Sequence, residues 1–308
     1  MMSNEPVIQS DEIVEWSYGE RHKFTIPYRD PNGHKGTFGK LLIIAGSSHM
    51  CGAAMLATES AFRCGAGMVR VATHKDNRTP ILCKTPEAII DTYPWDENMI
   101  PGEEELDSFF GPLFEWADGC LIGCGLGRNE LSQTLMRYVL NNCDLPMTID
   151  GDGLYYVAVD EITTRLLKGR DMNHTILTPH VGELSLLLGE DQETIRSSLA
   201  FFAKAAAEKY NQVIAAKSSV SYVAQADTEP VYRNSSGNNA LAVAGSGDVL
   251  AGMVCALQFQ YSQSYNAACA AIYLHGKAGD IGRNTMGERS LLPGDLFRFF
   301  PEIFQEQS

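Results

Sequence analysis

Apolar residues in this chain fall into two patterns, short continuous runs and longer stretches with a helical period, and the two alternate from about residue 40 onward. Leu41 to Ala45 is a continuous run of strand length that opens into Gly46, Ser47 and Ser48. Ala53 to Cys64 then reads as helix and Met68 to Ala72 as strand, which predicts a βαβ unit. Cys120 to Gly123 is a second strand-like run, closed by Gly125, Leu126 and Gly127 and followed by a predicted helix from about Leu131 to Leu140. Met147 to Asp150 closes on Asp150, Gly151 and Asp152, and Thr175 to Leu177 closes on Thr178, Pro179 and His180. Ile195, Leu199, Phe202, Ala203 and Ala206 recur at helical spacing, and Val213 to Ala216 with Val220 to Ala224 predicts a hairpin. Val249 to Leu257 and Ala267 to Lys277 predict two helices rich in small residues, suited to close packing on a sheet.

Strands that alternate with helices imply an α/β fold with a mainly parallel sheet covered on both faces. Ligands of such folds sit beyond the carboxyl ends of the strands, where every polar turn named above falls. Residues 1 to about 35 show no clean periodicity and Tyr28 to Lys35 is rich in turn formers, so this part reads as a lead-in. No change in composition divides residues 36–308, which are expected to form one catalytic domain.

Composition narrows the partners. The 308 residues are 44% hydrophobic, enough for a substantial core, and the first residues carry neither a cationic start nor a long apolar run. A cytoplasmic protein without a membrane span is expected. Twenty-four basic against 38 acidic residues give a net charge of -14, which opposes nucleic acid and anionic membranes as partners. An anionic substrate must therefore be held locally, by backbone amides and a few placed cations. The eight cysteines are scattered through apolar segments and read as reduced core thiols.

The turn that best fits local anion binding is Gly245, Ser246, Gly247 and Asp248, directly before an apolar helix. Two glycines let the backbone approach a phosphate closely, and the helix N-terminus favours negative charge there. Asp248, at the start of that helix, either caps free amides or faces the cleft as a general base. Asp150 and Asp152 are candidates for holding Mg²⁺ or a ribose, with solvated or capping carboxylates as the preferred reading. His275, in an Ala-rich stretch, reads as a packing residue.

Read together, these motifs resemble the ADP/ATP-dependent NAD(P)H-hydrate dehydratases, a ribokinase-like family. The resemblance covers about residues 34 to 300. It rests on His34, Lys35 and Gly36; on Gly46 and Ser47; on Gly52, Ala53 and Ala54; and on the turn Gly65 to Gly67 with Val69 to Val71. Gly123 to Gly127 is similar to the family's GPGLG turn, Leu177 to His180 with Gly182 and Glu183 to its LTPH-x-GE segment, and His275 to Asp280 to its last motif. Cys124 stands where that turn has proline, Gly151 lies within the DAD turn, and Ser218 replaces glycine after Lys217.

What the resemblance implies is a three-layer ribokinase-like fold and repair of NADH or NADPH that has added water at C6 of the nicotinamide ring. A phosphoryl group from ADP or ATP, with Mg²⁺, would convert the C6 hydroxyl into a leaving group. Asp248 would be the catalytic base. Ala53, Gly125, Gly127 and His180, together with Asp248, would bind the hydrated dinucleotide. Lys217, Ser218, Ser219, Val220, Ser221, Gly245, Ser246 and Gly247 would bind the nucleotide, while no metal ligands are nominated. The resemblance also implies a homo-oligomer, a tetramer, and an NAD(P)H-hydrate epimerase as a separate chain. The competing readings are a vitamin-precursor kinase of the same fold and a non-catalytic nucleotide sensor.

Overall fold

The computed structural model describes residues 15–17, 26–226 and 230–305, so part of the expected lead-in lies outside the described residues. Ten described strands form one sheet: β1 (Glu15–Trp16), β2 (Lys40–Ile44), β3 (Met68–Thr73), β4 (Ile89–Thr92), β5 (Gly119–Ile122), β6 (Met147–Ile149), β7 (Thr175–Leu177), β8 (Val213–Ala216), β9 (Tyr222–Ala224) and β10 (Val231–Arg233). Their order is β1-β10-β9-β8-β7-β6-β5-β2-β3-β4. The strands from β8 to β4 are all parallel, β9 runs against both β8 and β10, and β1 pairs in parallel with β10. The mainly parallel sheet and the β8–β9 hairpin follow the periodicity.

Helices cover both faces. On one lie α1 (Cys51–Arg63), α2 (Arg78–Lys84), α10 (Ser246–Gln260), α11 (Ser264–Met286) and α12 (Phe300–Gln305). On the other lie α3 (Glu103–Trp116), α4 (Glu130–Asn142), α5 (Asp152–Val159), α6 (Glu161–Lys168), α7 (Val181–Leu188), α8 (Gln192–Ser197) and α9 (Leu199–Tyr210). The strand alternation explains why both faces need cover: Leu41 and Ile43 enter the first core, Leu42 and Ile44 the second. No helix among the described residues is long and apolar enough to cross a membrane.

Two expectations change. The single helix read through Ile195 to Ala206 is two, because Asp191 caps α8 by accepting from the Glu193 and Thr194 amides and the backbone leaves helical geometry at Ser198. The lead-in is not separate from the sheet: β1 forms its edge, and Trp16 Nε1 donates to the Tyr265 hydroxyl at 3.0 Å. Lys35 is exposed and its carbonyl abuts Gly67 at the amino end of β3, opposite the cleft described below.

Helix α10 is held most tightly. Val249 through Gln258 are all buried, and Ser60 on α1 donates to the Val249 carbonyl at 2.6 Å. A Cβ on Gly252 would come 2.3 Å from the Ala57 carbonyl oxygen, so glycine sets the distance between α1 and α10. Gly252→Ala is expected to cost about 1–3 kcal/mol of unfolding free energy through overpacking. An unchanged urea midpoint would show that the two helices separate freely.

Candidate active site

The chain returns to one end of the sheet five times with polar residues. β2 leads to Gly46 and Ser47, β5 to Gly123–Gly127, β6 to Asp150, β7 to Thr178 and His180, and β8 to Lys217. Strand order explains the convergence. β2 is flanked by β3 on one side and β5 on the other, so the chain reverses its direction across the sheet at β2 and opens a crevice at these carboxyl ends. α10 brings Asp248 to the same end.

At the centre is Asp150, only 3% exposed. Its Oδ1 accepts from Lys217 Nζ at 2.6 Å and from Thr178 Oγ1 at 2.6 Å, and its Oδ2 faces Cys124 Sγ at 3.6 Å. This overturns the reading of Asp150 as a solvated or capping carboxylate: it is a buried ion-pair partner. Burial alone would lower the Lys217 pKa, but the carboxylates of Asp150 and Glu183 outweigh it and hold the ammonium charged. Burial raises Glu183.

Asp248 completes the cluster. One ligand atom each of Cys124, Asp150 and Asp248 lie within 4.8 Å of one another. Burial, then the charge of Asp150, pushes the Asp248 carboxyl up to about 6, with Lys217 opposing. The α10 N-cap is Gly245, with no side-chain cap bond, and Asp248 faces the cluster. Gly245 has φ +97, and a Cβ there would meet Leu56 at 2.7 Å. That left-handed residue turns the chain so that the Gly247 and Asp248 amides, which have no intrahelical acceptor, open α10 toward the cleft.

A cavity of about 880 Å³ adjoins this cluster. Lys217, Ser218, Ser219 and Ser221 form one wall, Gly245 to Gly247 another, and His180 lies at its edge. Val220, expected with these, instead lines a smaller depression on the other side of the loop, against Glu15 and Arg196–Phe201. Ser218 and Ser221 close a tight turn, the Ser218 amide donating to Ser221 Oγ at 3.3 Å. His180 also caps a helix. Its Nδ1 accepts from the Glu183 amide at 3.1 Å, capping α7, so Nε2 carries the proton on a ring whose side chain is 60% exposed.

His275 is the residue the periodicity undervalued. It lines the cavity and its Nε2 lies 3.3 Å from Ser246 Oγ in the anion turn. Burial pulls its pKa down to about 4, so it is a neutral hydrogen-bonding partner at neutral pH. An Ala-rich helix gives no local hint of this, because Ser246 is 29 residues away in sequence.

Ala53, Gly125 and Gly127 sit beyond the cluster, at the β2/β5 crevice, rather than in the cavity. Gly125 has φ +57 and a Cβ there would lie 2.8 Å from the Ala53 Cβ, so the turn and the first turn of α1 are in contact. The Gly127 amide donates to Asp152 Oδ2 at 2.9 Å, and Arg128 Nε to Asp152 Oδ1 at 2.9 Å. Asp152 is thus a clamp on the Gly125–Gly127 turn rather than the solvated carboxylate expected of two acids in a turn. Glu97, unremarked in the sequence, accepts from the Ser48 amide at 3.0 Å and braces the turn after β2.

Residues 41–302 match the family model described as NAD(P)H-hydrate dehydratase. The chain belongs to this family. It is 34% identical over 280 residues to the bifunctional NAD(P)H-hydrate repair enzyme Nnr of Moorella thermoacetica, covering 91% of this chain and 52% of that protein. The chain therefore spans about half the length of that relative. It is 32% identical over 270 residues to the ADP-dependent (S)-NAD(P)H-hydrate dehydratase of Neisseria meningitidis, covering 87% of this chain and 86% of that one. Among solved structures, the ADP/ATP-dependent NAD(P)H-hydrate dehydratase of Bacillus subtilis, co-crystallized with ATP/Mg²⁺, superposes with a TM-score of 0.78 at 28% identity, covering 94% of this chain and 97% of that one. The dehydratase family resemblance and the ribokinase-like three-layer architecture expected from the motifs both hold.

Proposed function

We propose that the protein dehydrates the S epimer of hydrated NADH or NADPH, using ADP or ATP as phosphoryl donor and restoring the reduced cofactor. The observation that carries this reading is the position of Asp248, a half-buried carboxylate at the helix terminus beside the cavity, in one cluster with Cys124 of the turn that leads to the Gly125–Ala53 crevice. The nucleotide occupies the cavity, held by Lys217, Ser218, Ser219, Ser221 and the turn Gly245–Gly247. The hydrated dinucleotide occupies the crevice along Ala53, Gly125 and Gly127, with His180, whose Nε2 lies 3.4 Å from Glu183 Oε1, as a further contact.

In the first step the C6 oxygen bonds to the terminal phosphorus, the bond from that phosphorus to the leaving AMP or ADP breaks, and Asp248 takes the hydroxyl proton. The Gly247 and Asp248 amides stabilise charge on the transferring group. In the second step the ring-nitrogen lone pair expels phosphate from C6, and loss of a C5 proton closes the C5–C6 double bond. The protein supplies position and electrostatics.

Mg²⁺ belongs to this reaction as a partner of the phosphates, whose charge it neutralises. The side chains do not form a cage for it: Asp150 is tied to a lysine ammonium 2.6 Å away, and the third potential ligand is a thiol. Mg²⁺ prefers oxygen donors and retained water, which fits an ion carried by the nucleotide, and we assign it no protein ligand.

Hydrated NADH incubated with ADP or ATP should regain its dihydronicotinamide absorbance while AMP or ADP and phosphate accumulate. A stable phosphorylated alcohol with no return of absorbance would identify a kinase instead, and nucleotide binding without turnover a sensor. Cytoplasmic location, assembly as a tetramer and cooperation with an NAD(P)H-hydrate epimerase are further parts of the proposal; native mass measurement tests the tetramer.

A further inference from the structure

Cys124 stands where the resembling family turn has proline, and nothing in the proposed reaction has used it. It is fully buried, at 0% exposure. Gly123, with φ +119, and Gly125 flank it, and the Gly46 amide donates to its carbonyl at 2.9 Å, so both backbone neighbours and the β2 turn fix its place. Its Sγ donates to Asp150 Oδ2 at 3.6 Å, and a carboxylate oxygen of Asp248 lies within 4.8 Å of it.

We propose that Cys124 is a positioning residue for the reaction: its thiol, fixed between the carboxylates of Asp150 and Asp248, hydrogen-bonds Asp248 and orients it toward the substrate hydroxyl. Two carboxylates this close repel each other. Lys217 and Thr178 both bind Asp150 Oδ1, whereas Oδ2 accepts from the Cys124 thiol and, among the described residues, from no cation. The thiol fills that side. Its one proton satisfies whichever carboxylate carries charge, and the bulk of the sulfur keeps the two apart. Proline offers neither a donor nor a polarizable sulfur at this position.

The groups that bear on Asp248 are Asp150 at the end of β6, Asp152 at the start of α5, Lys217 after β8 and Cys124 after β5, while Glu183 on α7 acts on Lys217 and Asp150. The two aspartates raise Asp248; Lys217 and the thiol lower it. A donor to the ionised carboxylate favours the charged form, so removing the thiol must disfavour it.

The inference rests on Asp248 as the base, and the test keeps the two ideas apart. In the full chain labelled with carboxyl carbon-13 aspartate, the Asp248 signal is assigned by its disappearance in Asp248→Asn. In Cys124→Ala it should titrate roughly 0.5–1 pH unit higher than in the wild type. The acid limb of kcat should move by the same amount, cutting turnover at pH 6 about two- to fivefold and above pH 8 by less than about twofold. KM for ADP should stay unchanged, and Cys124→Ser should restore the wild-type profile. An Asp248 titration and acid limb identical in Cys124→Ala and wild type would overturn the proposal. If the alanine variant does not fold, Cys124→Pro against Cys124→Ser gives the same comparison. Because the titration is read without turnover, an active Asp248→Asn would remove the base while still deciding the thiol contact.

Discussion

Asp248→Asn is expected to lose at least about 100-fold in kcat while still binding nucleotide, because the amide keeps the shape of the carboxylate but cannot accept the hydroxyl proton. The wild-type pH profile supplies a second reading of the same group. Burial and then the Asp150 charge push its carboxyl up to about 6, so well below that pH it is protonated and idle, and turnover should fall about tenfold per pH unit in the acid limb. Asn at 248 should abolish this limb along with the rate. Turnover within a few-fold of wild type would remove Asp248 from the chemistry and leave it a merely structural part of the helix terminus.

Lys217→Met should have the next largest effect, on stability and binding together. It strands the Asp150 carboxylate, which is 5% exposed as a side chain, without its cation, and breaking a buried pair in this way costs about 3–5 kcal/mol. The same substitution removes a positive wall from the cavity, and the nucleotide KM should rise about tenfold or more with a charged hydrogen bond lost. A double variant with Asp150→Asn separates the two consequences. Removing both charges should return much of the folding stability but none of the nucleotide affinity. Urea unfolding of the two variants and the wild type decides the first, and titration with ADP the second. Equal stability of the single variant and the wild type would mean that the pair does not hold the cluster together.

The sequence exposed the parts of this architecture that repeat locally. Parallel strands with continuous apolar runs, such as β2 and β8, announce themselves, and so do the glycine turns that follow them. The strands that went unread are β1, β4 and β10, which have two to four residues each and sit at or near the sheet edges, where burial imposes little pattern. Asp248 and Lys217 were found because glycine-rich turns and the family motifs marked them. Asp150 and Asp152 stand out in the sequence, but their roles do not, since the spacing of two acids in a turn says nothing about a lysine 67 residues away or a glycine amide 25 residues back. His275 and Cys124 are visible in the sequence as motif positions, but their contacts are not, because the fold brings Ser246 to His275 and Asp150 to Cys124 from 29 and 26 residues away.

The deep burial of α10 has a consequence for how such a site changes over generations. The carboxylate proposed as the base is anchored to a helix enclosed by α1, α11 and the sheet, where even one added methyl at Gly252 meets backbone. Inheritance can alter little there without losing the fold. The Ser218–Ser221 turn and the Gly125–Gly127 turn lie in loops, where replacements are tolerated more readily. New substrate preferences on this scaffold are therefore expected to arise around an invariant centre, by editing its margins while the aspartate stays in place.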